Sequence, residues 1–248
     1  MKINYFDIYT IIQKELKELI ELTTAKKTIL RIVTFIAFIG IFFPFFWGKI
    51  WMNSYIIIYF WSWFGCFLII GPAGNSIVKE RNFGTLETLL SSQIPDYAIS
   101  IGKLLSAFIY SFTIVLCGII IGCLAVSLKE GTLIWYDSAC LIYGIFCTIS
   151  LMIIWSNFIF LLSLHTRDPF KVMQLTSLIT LLLIGPGIYI RINYNSYSLQ
   201  QLNEMINSFF LTNWLLIPFT IIILVTGCII SYYYVLIKVT RNNLMNEK

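Results

Sequence analysis

The residues best suited to interact with another molecule in water lie in one short segment, residues 79–95, between two long apolar stretches. The segment opens with the charged pair Glu80 and Arg81, and its apolar residues recur at helical spacing. Those apolar residues are Phe83, Leu86, Leu89 and Leu90. A short helix with an apolar face and flanking charges is suited to dock in a groove of a soluble protein. The predicted chemistry is therefore non-covalent docking, with a surface connector that binds no partner as the alternative.

The local sequence predicts where this short helix begins and ends. Gly84 permits a sharp exit from the preceding helix, because glycine adopts conformations that other residues avoid. Thr85 can cap the helix, and Glu87 then lies in the first turn, where the helix dipole favours negative charge. Pro95 ends the segment before the next apolar stretch, since proline has no backbone N–H group to donate.

Motifs for catalysis or metal binding are missing from the sequence. His165 is the single histidine, so a histidine-built metal site has no second histidine ligand. The six cysteines lie in apolar stretches without a CxxC pair, which indicates packing residues rather than a metal centre or a disulfide framework. The segment 71–74 lacks the lysine of a nucleotide-binding P-loop. We therefore expect no enzyme activity and no cofactor in this chain.

The composition is that of a membrane protein. Hydrophobic residues make up 58% of the chain and charged residues 12%, with a mean hydropathy of +0.84. Soluble domains carry about 25% charged residues, so a soluble protein of this composition would lack a polar surface. The formal net charge of +5 is spread over several segments rather than gathered in a patch. Nucleic acid is therefore not expected as a partner.

Apolar stretches between charged residues predict an all-α membrane protein with one transmembrane domain, residues 1–248. A spanning helix needs about 20 apolar residues. The six predicted spans are about 29–48, 54–78, 103–127, 138–164, 172–190 and 214–237. No Asp, Glu, Lys or Arg falls in the middle of a predicted span, where ion-coupled transporters normally carry an acidic residue. Secondary active transport is therefore disfavoured.

The distribution of basic residues predicts the orientation of the chain. Of its 17 lysines and arginines, 14 fall on the side of the two termini and 3 on the other side. Basic residues favour the cytoplasmic side, so both termini and the segment 79–98 are predicted to be cytoplasmic. Aromatic residues, which favour the membrane–water interface, lie at the predicted outer ends. They are Trp47, Trp51, Trp135, Tyr136 and Trp214.

Residues 5–22 are predicted to form an amphipathic helix that lies in the plane of the membrane interface. Apolar residues recur there at steps of three and four, and most of the charged residues lie away from them. The apolar residues are Tyr5, Ile8, Tyr9, Ile12, Leu16, Leu19 and Ile20. An ordinary solvated tail helix is the alternative interpretation.

The connection 191–213 is the long one among the predicted outer loops. Its second half, from Leu199 to Phe210, has apolar residues at helical spacing and predicts a short amphipathic helix in the outer leaflet. A plain hydrated loop is the alternative. Two glycine–proline segments, 71–74 and 185–187, are expected to break or kink the second and fifth spans.

The motif at the segment 79–98 resembles the ATP-binding-cassette type-2 permease family. It reads Glu80-Arg81-x-x-Gly84-Thr85-Leu86-Glu87-x-Leu89-Leu90, then Pro95, then Gly102-Lys103 at the opening of a span. The N-terminal run Gln13-Lys14-Glu15-Leu16-Lys17-Glu18-Leu19 is similar to the interfacial elbow helix of that family. With six predicted spans and a long outer connection after the fifth, the resemblance covers nearly the whole chain.

The resemblance implies the permease subunit of an exporter. The residues 84–92 would be the coupling helix that contacts a separate nucleotide-binding subunit, and ATP and Mg²⁺ would bind in that subunit. A second permease subunit, identical or paralogous, would complete the assembly in the lipid bilayer. The family also implies a multi-pass protein of a cell membrane, with a bacterial plasma membrane as the expected location.

The cargo is the least constrained part of the prediction. Few charges in the spans and 17% aromatic residues favour an apolar or amphipathic cargo over an ion. The short chain resembles permeases that export membrane-active peptides or hydrophobic antibiotics, and a lipid or lipid-linked glycan is the alternative cargo. A function of another class also stays open, namely a membrane scaffold or sensor that docks a cytoplasmic signalling protein.

Overall fold

The computed structural model describes residues 5–23, 26–52, 56–85, 94–166, 168–182 and 216–238, with a few single positions between them (91, 201, 204–205 and 207–208). Helix makes up 92% of this described part, which contains no strand. The prediction of an all-helical protein is confirmed for these residues.

In the described residues up to Asn82 the chain forms five α-helices. Helix α2 continues without a break through a π-helical turn, Phe38–Phe42, into α3. The bounds are α1 Tyr5–Thr23, α2 Lys26–Ala37, α3 Phe43–Trp47, α4 Lys49–Met52 and α5 Ile56–Asn82. Pro72 lies inside α5, and the helix continues through it rather than breaking there.

The second half contributes four long or medium helices to the described part. They are α6 Asp96–Glu130, α7 Ser138–His165, α8 Pro169–Leu182 and α9 Leu216–Lys238. Asp137 caps α7, because its side chain accepts a hydrogen bond from the Cys140 backbone N–H at 3.4 Å. Of the predicted outer-leaflet helix, the described positions 201, 204–205 and 207–208 are helical, and the rest lies outside the described residues, as does 185–187.

Helices α5, α6, α7 and α9 are each long and apolar enough to cross a membrane. The first and fifth predicted spans coincide in the described residues with the shorter apolar helices Ile32–Trp47 and Pro169–Leu182. The fifth predicted span, 172–190, continues past the described part of α8. Six spans with both termini on one side therefore stay a prediction.

Helix α5 lies at the centre of the described bundle and α9 at its edge. In the most apolar window of α5, 67% of residues are buried inside the protein, against 6% in that of α9. Helix α5 packs along α7 and also contacts α6 and α8, whereas α9 packs on α7. At the crossing of α5 and α7, the Trp61 ring approaches Gly144 so closely that a Cβ there would lie 3.0 Å from the ring.

Two of the aromatic residues expected at the membrane interface face protein instead. Trp51 is 1% exposed and stacks on the Phe43 ring with centroids 5.7 Å apart. Tyr136 is also buried, and burial raises the pKa of its phenol above the ordinary value. The loop before α7 folds back on α4, since the Asp137 backbone N–H donates to the Met52 carbonyl at 3.2 Å. Trp135 is exposed, as expected of an interfacial ring.

Candidate functional site: an ion-pair cluster at one end of the bundle

A buried lysine lies at the end of the bundle where α5 stops and α6 starts. Lys103 is 1% exposed, and its Nζ donates to Glu15 Oε1 at 2.6 Å and to the Ser76 carbonyl at 2.9 Å. Glu80 Oε1 lies 3.1 Å from the same Nζ and forms an ion pair with it. A buried charge is costly unless it is paired and hydrogen-bonded, and Lys103 has two hydrogen bonds and two carboxylate partners.

Two further lysines extend this group of charges toward water. Lys14 Nζ lies 3.4 Å from Glu80 Oε1 and 3.8 Å from Glu18 Oε1, and Lys79 Nζ lies 3.8 Å from Glu18 Oε2. These side chains are about half exposed, so their pairs contribute little to stability. We call the whole group the ion-pair cluster. Its members are Lys14, Glu15, Glu18, Lys79, Glu80 and Lys103.

The cluster joins residues from both sequence-predicted sets. Glu80 belongs to the predicted docking segment, while Lys14, Glu15 and Glu18 belong to the predicted elbow helix. The sequence places these two sets more than sixty residues apart, as the separation of Lys14 and Glu80 shows. The structure thus joins α1 to the end of α5 through charged side chains.

The face of α1 that packs on the bundle differs from the predicted apolar face. Ile11 and Glu15 are its buried residues, whereas Tyr9 and Ile20, which were predicted to lie on the apolar face, are 56% and 58% exposed. A helix at the membrane interface presents its apolar residues to lipid, and on the bundle side Glu15 lies beside Lys103. Of the other predicted elbow residues, Leu16 and Leu19 are half-buried and Lys17 is exposed.

Close contact between α1 and α6 depends on a glycine next to the buried lysine. A Cβ at Gly102 would lie 2.6 Å from the Ile11 side chain and 3.5 Å from the Ile8 carbonyl oxygen. No side chain larger than hydrogen fits there without moving α1. Gly102 therefore lets α1 approach near enough for Glu15 to reach Lys103.

Arg81 fastens the end of α5 to the end of α7. Its guanidinium donates to the carbonyl oxygens of Leu164 and Thr166, both at 3.2 Å. The last carbonyls of a helix have no partner within the helix, and a basic side chain commonly binds them. Glu80 and Arg81 together therefore connect the last turn of α5 with α1, α6 and α7.

After the end of α5, the docking segment forms a turn at residues 83–84. Gly84 has φ 69°, in the left-handed region that favours glycine. The Thr85 hydroxyl donates to the Glu80 carbonyl oxygen at 3.3 Å, back toward α5. Phe83 is 71% exposed and lies in this turn. Leu86, Glu87, Leu89 and Leu90 lie outside the described residues.

Pro95 marks the return of the chain into the bundle. It has φ −70° and ψ 145°, an extended conformation, and directly precedes α6. Its carbonyl oxygen accepts the Ala98 backbone N–H at 2.9 Å, which begins the helical hydrogen-bond pattern. Since α6 has 35 residues, it is about 52 Å long, well beyond the roughly 30 Å of a hydrocarbon core.

Sequence reasoning missed the role of Lys103. The residue was noted as part of the motif that opens the third span, with no function assigned to it. The sequence does contain one indication of this role. Lys103 lies in an apolar run, between Ile101 and Leu104, where a charge requires a partner. The sequence could not identify that partner, because Glu15 and Glu80 approach it only after α1 folds against α6.

The cluster is not a metal centre. Among the described residues, no group of three or more His, Cys, Asp or Glu side chains is placed to hold a metal ion.

The six cysteines are free thiols, and four of them, Cys66, Cys123, Cys140 and Cys147, are buried. His165 is exposed, with Nδ1 2.9 Å from the Leu161 carbonyl oxygen one turn earlier. The arrangement can hold helices together through ion pairs and hydrogen bonds.

Comparison of the chain with protein-family models, with curated proteins and with solved structures found no match in any of the three.

Proposed function

We propose that the chain is the membrane-spanning permease subunit of an ATP-driven exporter of the ATP-binding-cassette type-2 family. In this proposal the segment 79–98 docks on a separate ATPase subunit, which binds ATP and Mg²⁺. Two permease subunits, identical or paralogous, assemble with two ATPase subunits in a bacterial plasma membrane. The motif from Glu80 to Pro95 and the elbow-like run from Gln13 to Leu19 are the sequence support for the assignment.

The observation that carries the proposal is the position of the ion-pair cluster at the start of the proposed docking segment. Glu80 contacts Lys14 of α1 and Lys103 of α6, and Arg81 binds the end of α7. A helix end fastened to three neighbours moves them when it is displaced, whereas a loosely attached loop would absorb the displacement. This is the mechanical property that an ATP-driven permease needs at its docking segment.

The proposed cargo is an amphipathic peptide or a hydrophobic drug, which leaves the cell or the membrane. The apolar character of the spans supports this choice over an ion, since no charged residue lies in the middle of a predicted span. A lipid or lipid-linked glycan is the other cargo considered.

Purification of the tagged chain from its native membrane tests the proposal. We expect a protein with a P-loop motif to co-purify and to hydrolyse ATP in the reconstituted assembly. Addition of an exported amphipathic peptide should raise that ATPase rate, and stimulation by a lipid-linked sugar alone would contradict the cargo. Recovery of a kinase or another signalling protein in place of an ATPase would overturn the transport proposal in favour of a scaffold or sensor.

A further inference from the structure

A cavity of about 540 Å³ lies beside the ion-pair cluster, between α1, α2, α5, α6 and the start of α8. Its volume is in the range of about 300–1,000 Å³ that is typical of small-molecule sites. One face of α5 forms a wall of the cavity, with residues at helical spacing from Leu68 to Lys79, about 16 Å along the helix. The cavity is therefore long enough for an extended molecule.

The part of the cavity away from the charges is apolar. Leu68 and Pro72 of α5 line it together with Ile32 of α2, Ile114 of α6 and Met173 of α8. All five residues fall inside predicted spans. A molecule that fills this part is stabilised by burial of apolar surface, so its body is apolar.

The charged end of the cavity is electrically balanced. Of the ion-pair cluster, Glu15, Glu18, Lys79 and Glu80 line the cavity, and each of the three carboxylates lies 2.6–3.8 Å from a lysine Nζ. The cluster as a whole contains three carboxylates and three lysines. An ionic group that enters the cavity loses water and gains no unpaired counter-charge from the cluster, so an uncharged ligand is favoured.

A side-chain amide without a partner lies between the apolar and the charged parts. Asn75 lines the cavity and is half-buried, and its amide makes no hydrogen bond to any other described residue. Both polar atoms of this amide are accessible rather than enclosed in protein. By contrast, Asn157 of α7 is buried and donates to the Ser231 hydroxyl at 2.9 Å. Asn75 is therefore free to bind a molecule in the cavity.

The chemistry of Asn75 specifies the polar group of such a molecule. Asn75 falls inside the predicted span 54–78, and polar side chains within spans are costly and commonly serve a function. Its Nδ2 atom donates hydrogen bonds and its Oδ1 atom accepts them. A ligand amide, which has one N–H group and one carbonyl oxygen side by side, satisfies both atoms at once and carries no charge.

From these observations we propose that the cavity binds an uncharged amphiphile with an amide group. The ligand amide donates to Asn75 Oδ1 and accepts from Asn75 Nδ2, and the apolar body lies along Leu68, Ile114 and Met173. As a cargo site the cavity rests on the proposed export function, but the binding test needs no ATPase, so failure of one proposal is distinguishable from failure of the other.

Equilibrium binding to the chain in phosphatidylcholine nanodiscs tests this site. The probes are radiolabelled dodecanamide and methyl dodecanoate, an ester with the same acyl chain that accepts hydrogen bonds but has none to donate. Binding to empty nanodiscs is subtracted. We expect the amide to bind about fivefold more tightly than the ester, the size of effect of one net hydrogen bond. Equal binding of the two probes would overturn the proposal.

Two ionic probes of the same chain length test the preference for an uncharged ligand. Dodecylamine is protonated near neutral pH, and dodecanoate is ionised there. We expect both ions to bind more weakly than dodecanamide, because the carboxylates and lysines at the charged end are already paired. Tighter binding of either ion than of the amide would contradict the proposal.

Three variants localise the bound molecule. Asn75→Leu removes the amide at similar volume and should reduce the preference for dodecanamide over the ester to about twofold or less. Met173→Trp fills the apolar part from α8 and should weaken both uncharged probes, so the test survives if Asn75→Leu fails to fold. Thr113→Val, on an exposed part of α6 outside the cavity, is the matched control and should leave binding unchanged. Unaltered amide binding in Met173→Trp would contradict the cavity as the site.

The amide group has two sources, a membrane lipid or a soluble amphiphile. Addition of ceramide, a lipid with an amide group, to the nanodisc bilayer separates them. Competition with dodecanamide supports the site with a lipid as its natural ligand, and absence of competition supports it with a soluble amphiphile.

Discussion

Glu80 and Arg81 are adjacent in the sequence but bind different neighbours. The Glu80 carboxylate lies 3.1 Å from Lys103 Nζ on α6, and the Arg81 guanidinium donates to the Leu164 and Thr166 carbonyls at the end of α7. Consecutive residues of an α-helix point about 100° apart, so a single turn of α5 reaches both sides. The predicted docking segment therefore starts from a helix end held by three other helices.

Replacement of the buried lysine should destabilise the protein strongly. Lys103→Met leaves the Glu15 and Glu80 carboxylates without their ammonium partner, which we expect to cost about 3–5 kcal/mol in the free energy of unfolding. Denaturation of the purified chain in mixed micelles measures it. Lys49→Met is the control, since Lys49 is exposed and pairs with Glu130, and it should change stability by less than about 1 kcal/mol.

Substitutions at Glu15 and Lys103 should have non-additive effects on the free energy of unfolding. Glu15→Gln in the Lys103→Met background should be less destabilising than Glu15→Gln alone, because the carboxylate it removes no longer has its partner. A double-mutant cycle on the free energy of unfolding measures the coupling. Strictly additive values would contradict a direct interaction between the two side chains.

A larger residue at Gly102 should separate α1 from the bundle. Gly102→Leu places side-chain atoms where Ile11 lies, 2.6 Å from the Cβ position, so α1 must move. We expect faster hydrogen exchange in α1 and a lower melting temperature, both partly restored by Ile11→Ala. Leu105→Phe, on an exposed part of α6, should alter neither. Failure of Ile11→Ala to rescue the variant would count against this contact.

Arg81→Lys should loosen the end of α7 although it keeps the charge. The planar guanidinium reaches two carbonyl oxygens at once, whereas an ammonium is a compact donor that lacks this fork. Hydrogen exchange over the last turn of α7 should rise in the variant. The exchange rates near Asp137, at the other end of that helix, should stay as in the wild type. Unchanged exchange at both ends would show that the two hydrogen bonds contribute little.

The proposed docking helix is tested by the double substitution Leu86→Asp and Leu89→Asp. Charges on the apolar face should prevent docking, so the ATPase subunit no longer drives transport while the spans still insert. Transport into membrane vesicles and ATP hydrolysis are measured together. Asp substitutions at the exposed Leu128 and Leu133 serve as the control pair. Undiminished transport in the Leu86/Leu89 variant would refute the coupling role.

The helical class of the fold followed directly from composition and from the spacing of charges. Predicted spans 54–78 and 138–164 overlap α5 and α7 closely, because apolar runs bounded by charges define such helices. Helix α6 begins at Asp96, seven residues before the predicted start at Lys103. A lysine in a sequence marks the expected end of an apolar helix, whereas Lys103 lies inside α6 and is neutralised by two carboxylates.

The candidate site was harder to predict because it depends on contacts between distant segments. Sequence periodicity placed an apolar stripe on α1 through Tyr9 and Ile20, and it had no means of recognising Glu15 as an inward-facing residue. Local pattern also misplaced Trp51. Its ring is expected at the membrane interface, but it is buried and stacks on the Phe43 ring. Tertiary packing thus placed Trp51 in the protein interior, whereas the pattern of α1 assigned no orientation to Glu15.

The order of the three cluster residues along the chain has a consequence for membrane insertion. Glu15 and Glu80 are both synthesised before Lys103, so both carboxylates have left the ribosome when the helix that carries the lysine follows. A lysine at the centre of a membrane helix costs about 2.5–3.5 kcal/mol at insertion, and Lys103, which lies near the start of α6, costs less. Because its counter-charges are already present on the preceding helices, the nascent α6 can enter the bilayer with its charge neutralised as soon as it docks.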